Sequence, residues 1–305
     1  MFSLLGTQAA LNLRHPRTDR TIAPFFNPMR KIRLHYLLPL LLALPARAQV
    51  SELGLTGGTT FYIGDLNPTR YYPKHTHLAG GIMYRYNFNE RYAFRLQGLY
   101  GKVEAWDFES KDPLQQLRNL GFRSVIFEAS ALLEINFFKY RGLAKDSRTW
   151  TPFVFGGLAY YHFNPQNLLD DTWYDLQPLG TEGQNIGGGN GYSLNQICIP
   201  FGFGFKFALT KRVDLDLEWG LRRTYTDYLD DVGSTYMDNA ALLEQAGPLT
   251  ALLADPSPLR TTGLNTGRAR GDSQTRDWYQ YTGITVSLLL TKFTECDAIW
   301  QKKKR

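Results

Sequence analysis

Cysteine is nearly absent from this chain of 305 residues, which contains only Cys198 and Cys296. Two thiols can form at most one disulfide bond, so the sequence excludes the disulfide-rich scaffolds of small secreted domains. Cys198 falls inside a predicted strand, and Cys296 lies beyond the last predicted strand. We therefore expect two free thiols, with a single bridge as the alternative.

Long apolar runs are missing from the chain after residue 48. A transmembrane helix needs about 20 consecutive apolar residues, because that length spans the hydrocarbon core of a bilayer. Without such a run, the backbone could cross a membrane only as a closed β-barrel, in which neighbouring strands pair every polar group. The sequence therefore excludes a helical membrane protein and leaves a membrane barrel open.

The N-terminal segment carries the three parts of a secretory signal peptide in the usual order. A basic stretch begins at Met29, an apolar run of 11 residues follows, and a small-x-small cleavage motif ends at Ala48. We expect residues 29–48 to be removed on export. Residues 1–28 show no periodicity, and we interpret them as a spurious or disordered extension upstream of the true start.

Excess positive charge also disappears when that segment is set aside. The formal charge of +6 belongs to the full chain, whose first 48 residues contain seven of the 34 Lys and Arg and one of the 28 Asp and Glu. The remainder has 27 basic and 27 acidic residues. A chain this close to neutral gives no indication of nucleic-acid binding.

The most regular pattern in the sequence is a hairpin that begins at Gln196, with a polar break at Thr210-Lys211-Arg212. Large apolar residues alternate with small or charged ones, so one face of each strand is apolar and the other is glycine-rich and charged. This composition favours a lipid-facing barrel wall over a soluble sheet. The predicted lipid-facing residues are Ile197, Ile199, Phe201, Phe203, Phe205, Phe207, Leu215, Leu217 and Trp219.

Six further segments alternate in the same way, and their connections are alternately short and long. Short turns at one rim and long loops at the other are typical of outer-membrane barrels. We predict an all-β fold over residues 49–293, an eight-stranded antiparallel transmembrane β-barrel with short periplasmic turns and long extracellular loops. A polar periplasmic tail over 294–305 follows. The predicted strands are approximately residues 50–63, 77–88, 92–103, 122–138, 152–162, 196–209, 213–222 and 278–293.

Ten charged residues fall on the inward-facing positions of these strands. Eight strands enclose a bore just wide enough for side chains to fill it, so these charges are poorly solvated and must pair. We predict a salt-bridged, closed lumen rather than an open pore. The predicted lumen network consists of Glu52, Arg85, Arg95, Glu128, Glu134, Lys206, Asp214, Asp216, Glu218 and Arg222.

Signals for catalysis are weak. His75, His77 and His162 are the only histidines after the signal peptide, and none lies in a serine or cysteine nucleophile motif. We predict no enzyme activity, no catalytic, cofactor-binding or metal site, and no small-molecule substrate; a rim-active enzyme is the weaker alternative. Five loop acids could hold a cation, but their spacing matches no calcium loop, and we expect them to be solvated. They are Asp65, Asp170, Asp171, Asp230 and Asp231.

Several stretches resemble a known family of bacterial barrels. They are LGL at 53–55, FYIGDLN at 61–67, WYDLQPLGTEGQ at 173–184, CIPFG at 198–202 and TYTDYLDDV at 224–232. With the signal peptide, they make the chain similar to the small outer-membrane barrels of the Bacteroidetes type that includes PorG, a component of the type IX secretion system. Residues 1–28 and an Ala/Leu/Pro-rich insertion near 240–264 depart from that resemblance.

The resemblance implies a location in the outer membrane of a Gram-negative, Bacteroidetes-type bacterium, with outer-membrane lipid around the barrel. It further implies a non-enzymatic structural role in type IX secretion, through contact with periplasmic secretion-ring proteins. Two other readings stay open. One is a surface barrel whose long loops bind a ligand or a substratum, and the other is a small membrane-anchor barrel unconnected with secretion.

Overall fold

Eight strands close into one antiparallel barrel in the computed structural model, which describes residues 50–67, 75–141 and 148–290. Each barrel strand pairs with its sequence neighbours, and β1 pairs with β9 to complete the ring. The short strand β6 pairs only with β5 and extends beyond the barrel. The predicted fold class is therefore confirmed. The strands are β1 (Val50–Ile63), β2 (His77–Asn87), β3 (Tyr92–Trp106), β4 (Gly121–Asn136), β5 (Trp150–Leu169), β6 (Thr172–Asp175), β7 (Asn195–Ala208), β8 (Val213–Thr224) and β9 (Trp278–Leu289).

The predicted signal peptide, the extension before it and the tail over 294–305 lie outside the described residues. Most strand bounds agree with the predicted ones to within a few residues. The exception is β5, which has 20 residues and continues well beyond the predicted end at His162. Its glycines obscure the alternation in the sequence, whereas its pairing with β4 continues to Gln166.

Apolar side chains form a continuous belt around the outside of the barrel. Phe203 is 51% exposed, Leu133 is 59% exposed and Ile82 is 61% exposed, although each lies in the middle of a strand. Towards the outer rim, the outward-facing positions become polar. Those positions are Lys102, Arg123, His162, Asn195, Arg223 and Gln280. An exposed apolar belt bounded by polar residues is the surface that a bilayer covers.

The two rims differ in the length of their connections. At the inner rim, residues 88–91 and 209–212 form tight turns that are closed by backbone hydrogen bonds from Phe88 N to Tyr92 O and from Leu209 N to Val213 O. At the opposite rim, the connections over 107–120, 176–194 and 225–277 are long. The predicted asymmetry of turns and loops is therefore present.

The long connections fold into an outer cap, which comprises residues 107–120, 170–194 and 225–277. It contains the helices α1 (Pro113–Arg118), α2 (Asn239–Gln245) and α3 (Pro248–Ala254). Leu229, Val232 and Leu253 of the cap pack with Tyr62 and Phe122 of the barrel in one buried apolar cluster. The cap thus has its own core and covers the outer mouth of the barrel.

Among the described residues, every helix is too short or too polar to cross a membrane.

Candidate functional site

Glu134 of β4 is the centre of the charged cluster inside the barrel. Its Oε2 lies 2.5 Å from Lys206 Nζ and 2.8 Å from Arg85 Nε, and its Oε1 lies 3.0 Å from Arg95 Nε. One carboxylate therefore contacts three cations from three different strands. Its side chain and those of both arginines are fully buried, so these charges are compensated by each other and not by water.

The two arginines would repel each other without further carboxylates, because Arg85 and Arg95 face each other across β2 and β3. Arg85 Nη1 donates a hydrogen bond to Glu52 Oε2 at 2.7 Å, and its Nη2 donates to Asp216. Arg95 Nη1 donates to Glu218 Oε2 at 2.6 Å. Each guanidinium thus bonds to carboxylates on different sides of the barrel and connects those sides across the lumen.

A second ion pair lies on the outer side of the first cluster. Arg222 Nε is 3.2 Å from Glu128 Oε2, which also accepts a hydrogen bond from the Tyr279 hydroxyl at 2.8 Å. Arg222 Nη2 lies 3.8 Å from Glu218 Oε1 and so connects the two clusters. The charged residues therefore form a column along the barrel axis.

Aromatic rings fill the space that the charges leave. Phe155 lies 5.0 Å from the Arg95 guanidinium, Phe153 lies 4.7 Å from Lys206 Nζ, and Tyr281 lies 5.1 Å from Arg222. A Cβ atom at Gly220 would lie only 2.7 Å from Phe155 Cζ. Glycine on the inner face therefore makes room for the ring, which is the packing that a narrow bore requires.

Arg141 closes the inner end of the column, and nothing in the sequence pattern predicts this role. It lies in the turn between β4 and β5 with φ of +54°, outside any alternating segment. Its guanidinium contacts the buried carboxylate of Asp214 and donates hydrogen bonds to the backbone oxygens of Thr210 and Val213. The connection between β4 and β5 thereby places the Arg141 guanidinium against Asp214 at the inner end of the barrel.

The structure places all ten residues of the predicted lumen network inside the barrel, where none is more than 4% exposed. It divides them into the Glu134 cluster, the Arg222–Glu128 pair and Asp214 with Arg141. The nine predicted lipid-facing residues all lie on the outer face and are exposed or half-exposed. Chemically, the interior is a packed column of paired charges and rings with no described group that faces a substrate.

Two of the five loop acids lie buried in the outer cap, contrary to the prediction that they are solvated, whereas Asp170 and Asp171 are exposed as predicted. Asp230 is 1% exposed and Asp231 is fully buried. The Tyr62 hydroxyl donates to Asp230 Oδ2 at 2.5 Å and lies 2.9 Å from Asp277 Oδ1. Burial, together with the mutual repulsion of the two carboxylates, raises the pKa of Asp230 well above its ordinary value, and burial likewise raises the pKa of Asp277. The alternation rules used for strands carry no information about such loop contacts.

Residues 270–272 of the cap read Arg-Gly-Asp, a tripeptide known from adhesion proteins that a long polar loop can contain by chance, and Arg270 is only 2% exposed. Its Nη1 lies 3.1 Å from Glu182 Oε1, and its Nε donates to Ala254 O at 3.1 Å. Burial raises the pKa of Asp231 to about 6, although the Arg270 charge opposes that rise. The arginine of this tripeptide is therefore a structural part of the cap, whereas Asp272 is exposed.

Two of the three histidines that follow the signal peptide lie close together in the structure. His75 and His77 meet Glu104 of β3, and the three side chains can each point a ligand atom into a region less than 4.8 Å across. The sequence gives no signal for this group, because Glu104 is distant along the chain. His162 lies elsewhere and contacts Asn195 through Nδ1 at 3.0 Å.

A family model described as "Domain of unknown function (DUF6089)" matches residues 31–250. No curated protein matches the chain. Among solved structures, the chain is similar to Neisserial surface protein A, with 10% identity, coverage of 78% of this chain and 96% of that chain, and a TM-score of 0.37. It is also similar to Ail of Yersinia pestis, with 7% identity, coverage of 79% and 96%, and a TM-score of 0.35. The outer membrane protein OprG from Pseudomonas aeruginosa gives 9% identity, coverage of 79% and 97%, and a TM-score of 0.36.

Proposed function

We propose that this chain, which belongs to the DUF6089 family, is a non-enzymatic structural subunit of the type IX protein secretion system in the outer membrane. The packed lumen is the observation that supports this role best. A barrel filled by the Glu134 cluster and covered by the outer cap offers no passage for a secreted protein. Such a subunit acts as an anchor or an organiser of the export machine and not as its conduit.

The apolar belt supports the membrane part of the proposal. Its outward side chains require lipid, because a belt this continuous would otherwise be exposed to water. The predicted signal peptide supplies the route of export. The resemblance of the sequence to PorG-type barrels supports the connection with type IX secretion in particular.

The inner rim supports the contact with periplasmic ring proteins. Its short turns carry the exposed side chains of Arg91, Arg148, Lys211 and Arg212, whereas Glu90 is half-buried. A basic rim attracts an acidic partner surface and accelerates its association. We therefore infer that the secretion ring offers acidic side chains to this rim.

The test is genetic and uses matched variants. A deletion strain is complemented with the wild-type chain, with K211E/R212E at the inner rim, or with K111E on the exposed surface of the outer cap. We expect the inner-rim variant to lose co-isolation of periplasmic proteins and to secrete less type IX cargo, while K111E behaves as wild type. Heat-modified gel mobility verifies that each barrel is folded. Normal cargo secretion by the deletion strain would refute the proposal.

The outer cap favours one alternative, a barrel whose loops bind a ligand or a substratum. The cap exposes apolar side chains to solvent, with Leu114 of α1 at 74% and Leu243 of α2 at 53%. If this alternative holds, L114S/L243S reduces attachment of whole cells while cargo secretion stays normal. If cells that carry L114S/L243S attach as well as wild-type cells do, this alternative is excluded. A simple membrane anchor would show neither effect.

A further inference from the structure

Three possible metal ligands meet just outside the apolar belt, where β2 and β3 diverge. His77 is the first residue of β2, His75 lies two residues before it, and Glu104 lies near the end of β3. Glu104 Oε2 is 2.9 Å from His77 Nε2, and Glu104 Oε1 is 3.7 Å from His75 Nδ1. Backbone pairing between the two strands ends at Gly80 and Tyr100, so these side chains form the next connection between them.

The spacing of these atoms matches a tetrahedral metal centre. Zinc binds imidazole nitrogen and carboxylate oxygen at about 2.0–2.2 Å, which places neighbouring ligand atoms roughly 3.4 Å apart. The two nitrogen–oxygen separations lie on either side of that value, and all three ligand atoms lie within 4.8 Å of one another. We propose that His75, His77 and Glu104 form a binding site for Zn²⁺ or a similar divalent transition metal.

The neighbouring side chains orient two of these ligands as metal ligands are commonly oriented. His75 Nε2 lies 2.5 Å from Glu109 Oε2, a contact that favours the proton on that ring nitrogen and leaves Nδ1 on the side of Glu104. Trp106 Nε1 donates to Glu104 Oε1 at 2.7 Å and fixes the rotation of that carboxylate. Carboxylate–histidine–zinc arrangements of this kind raise the basicity of the ligand and hold its tautomer.

The donor set selects the class of metal. Two imidazoles with one carboxylate suit zinc and other first-row transition metals, whereas calcium and magnesium prefer oxygen ligands. His77 and Glu104 keep 21% and 17% of their side-chain surface exposed, so a water molecule can supply the fourth ligand. In the bound state, the metal would hold the diverging ends of β2 and β3 together.

Lys102 opposes metal binding at close range, and Arg123, which pairs with Glu104 across β3 and β4, adds a second positive charge nearby. Lys102 Nζ lies 3.5 Å from Glu104 Oε2, but the lysine side chain is 33% exposed and can turn towards solvent. Metal binding replaces this ion pair by coordination of the same carboxylate. Removal of the Lys102 charge should therefore raise the affinity for the metal ion. If the Lys102–Glu104 ion pair only stabilised the fold, its removal would not raise that affinity.

The experiment measures Zn²⁺ binding to the purified full chain in detergent by calorimetry, with Co²⁺ absorption as a second readout of tetrahedral coordination. We expect micromolar or tighter binding of one ion, a loss of at least tenfold in affinity for H77A and for E104Q, and tighter binding for K102M. H162A is the matched control, because it removes an outward-facing histidine of β5 that lies outside the proposed site. Its affinity should equal that of the wild type.

Two results would overturn the proposal. The first is an absence of Zn²⁺ binding at concentrations up to 100-fold above the protein, which would reduce the group to an ion-pair network. The second is retention of wild-type affinity by both H77A and E104Q, which would place the bound metal elsewhere. Gel mobility with and without heating shows whether each variant is folded. If H77A does not fold, E104Q, which changes the side chain less, decides the test.

Discussion

Replacement of Glu134 by glutamine tests the claim that the lumen is dry and fully paired. E134Q keeps the shape of the side chain but removes the negative charge that Lys206, Arg85 and Arg95 share. The arginines keep Glu52, Asp216 and Glu218 as partners. Lys206 loses the carboxylate that lies 2.5 Å from its Nζ, although it is only 1% exposed. The variant therefore leaves one buried ammonium group without its described ion-pair partner.

The magnitude follows from the burial of that ammonium group. Breaking a buried ion pair by removal of one partner costs about 3–5 kcal/mol, because the other charge stays desolvated. Removal of both charges in E134Q/K206M should cost less than the sum of the two single changes. The double-mutant cycle should give a coupling energy of about 1–3 kcal/mol.

Urea unfolding of the barrel in lipid vesicles, followed by tryptophan fluorescence, measures the free energy of unfolding for the wild type and the three variants. R91Q is the control, because it removes a charge from the exposed inner rim and should change that energy by less than about 0.5 kcal/mol. If E134Q lowers the free energy of unfolding by no more than the control does, water reaches the lumen. The argument for a closed barrel then fails.

Three further predictions follow from the same contacts. Planar bilayers that contain the wild-type barrel should show no nanosiemens conductance, because paired charges and aromatic rings fill the axis; stable openings of that size would contradict the packed column. R141Q should lower the free energy of unfolding by about 1–3 kcal/mol, since it leaves the buried Asp214 without its guanidinium, whereas R148Q should have little effect in the same urea titration. The pKa of Asp230 and that of Asp277 lie well above the ordinary value of 3.8, so the protonated carboxyls stabilise the folded cap at low pH and that stabilisation is lost as pH rises through the raised values. Limited proteolysis should show a more open cap at high pH and a flatter pH profile for D277N; equal profiles for both chains would refute the assignment.

The barrel wall could be predicted from the sequence because its rule is local. Alternation of large apolar and small or charged residues along β7 and β8 determines which face meets lipid, and the same period places Asp216 and Glu218 inside. A narrow bore then requires pairing of those charges, but it does not determine the partners. Only the closed ring brings Glu134 of β4 to Lys206 of β7.

The outer cap could not be predicted because its contacts are long-range and lack a period. Asp230 and Asp277 are 47 positions apart, and both contact the hydroxyl of Tyr62, a residue of the first strand. Arg141 and the group of His75, His77 and Glu104 were missed for the same reason. Each depends on where a connection lies in space, whereas the sequence pattern describes only the face of a strand.

Different kinds of polar contact close the two ends of the barrel. At the inner end, Asp214 contacts the guanidinium of Arg141, which keeps its own charge over the whole range of pH in which proteins fold. In the outer cap, Asp230 and Asp277 share a tyrosine hydroxyl, and burial raises the pKa of both carboxyl groups, so the contacts there depend on pH. The inner contact therefore has a cation whose charge does not change with pH, whereas the acid pair of the outer cap has no described cation in its hydrogen-bond network and responds to pH.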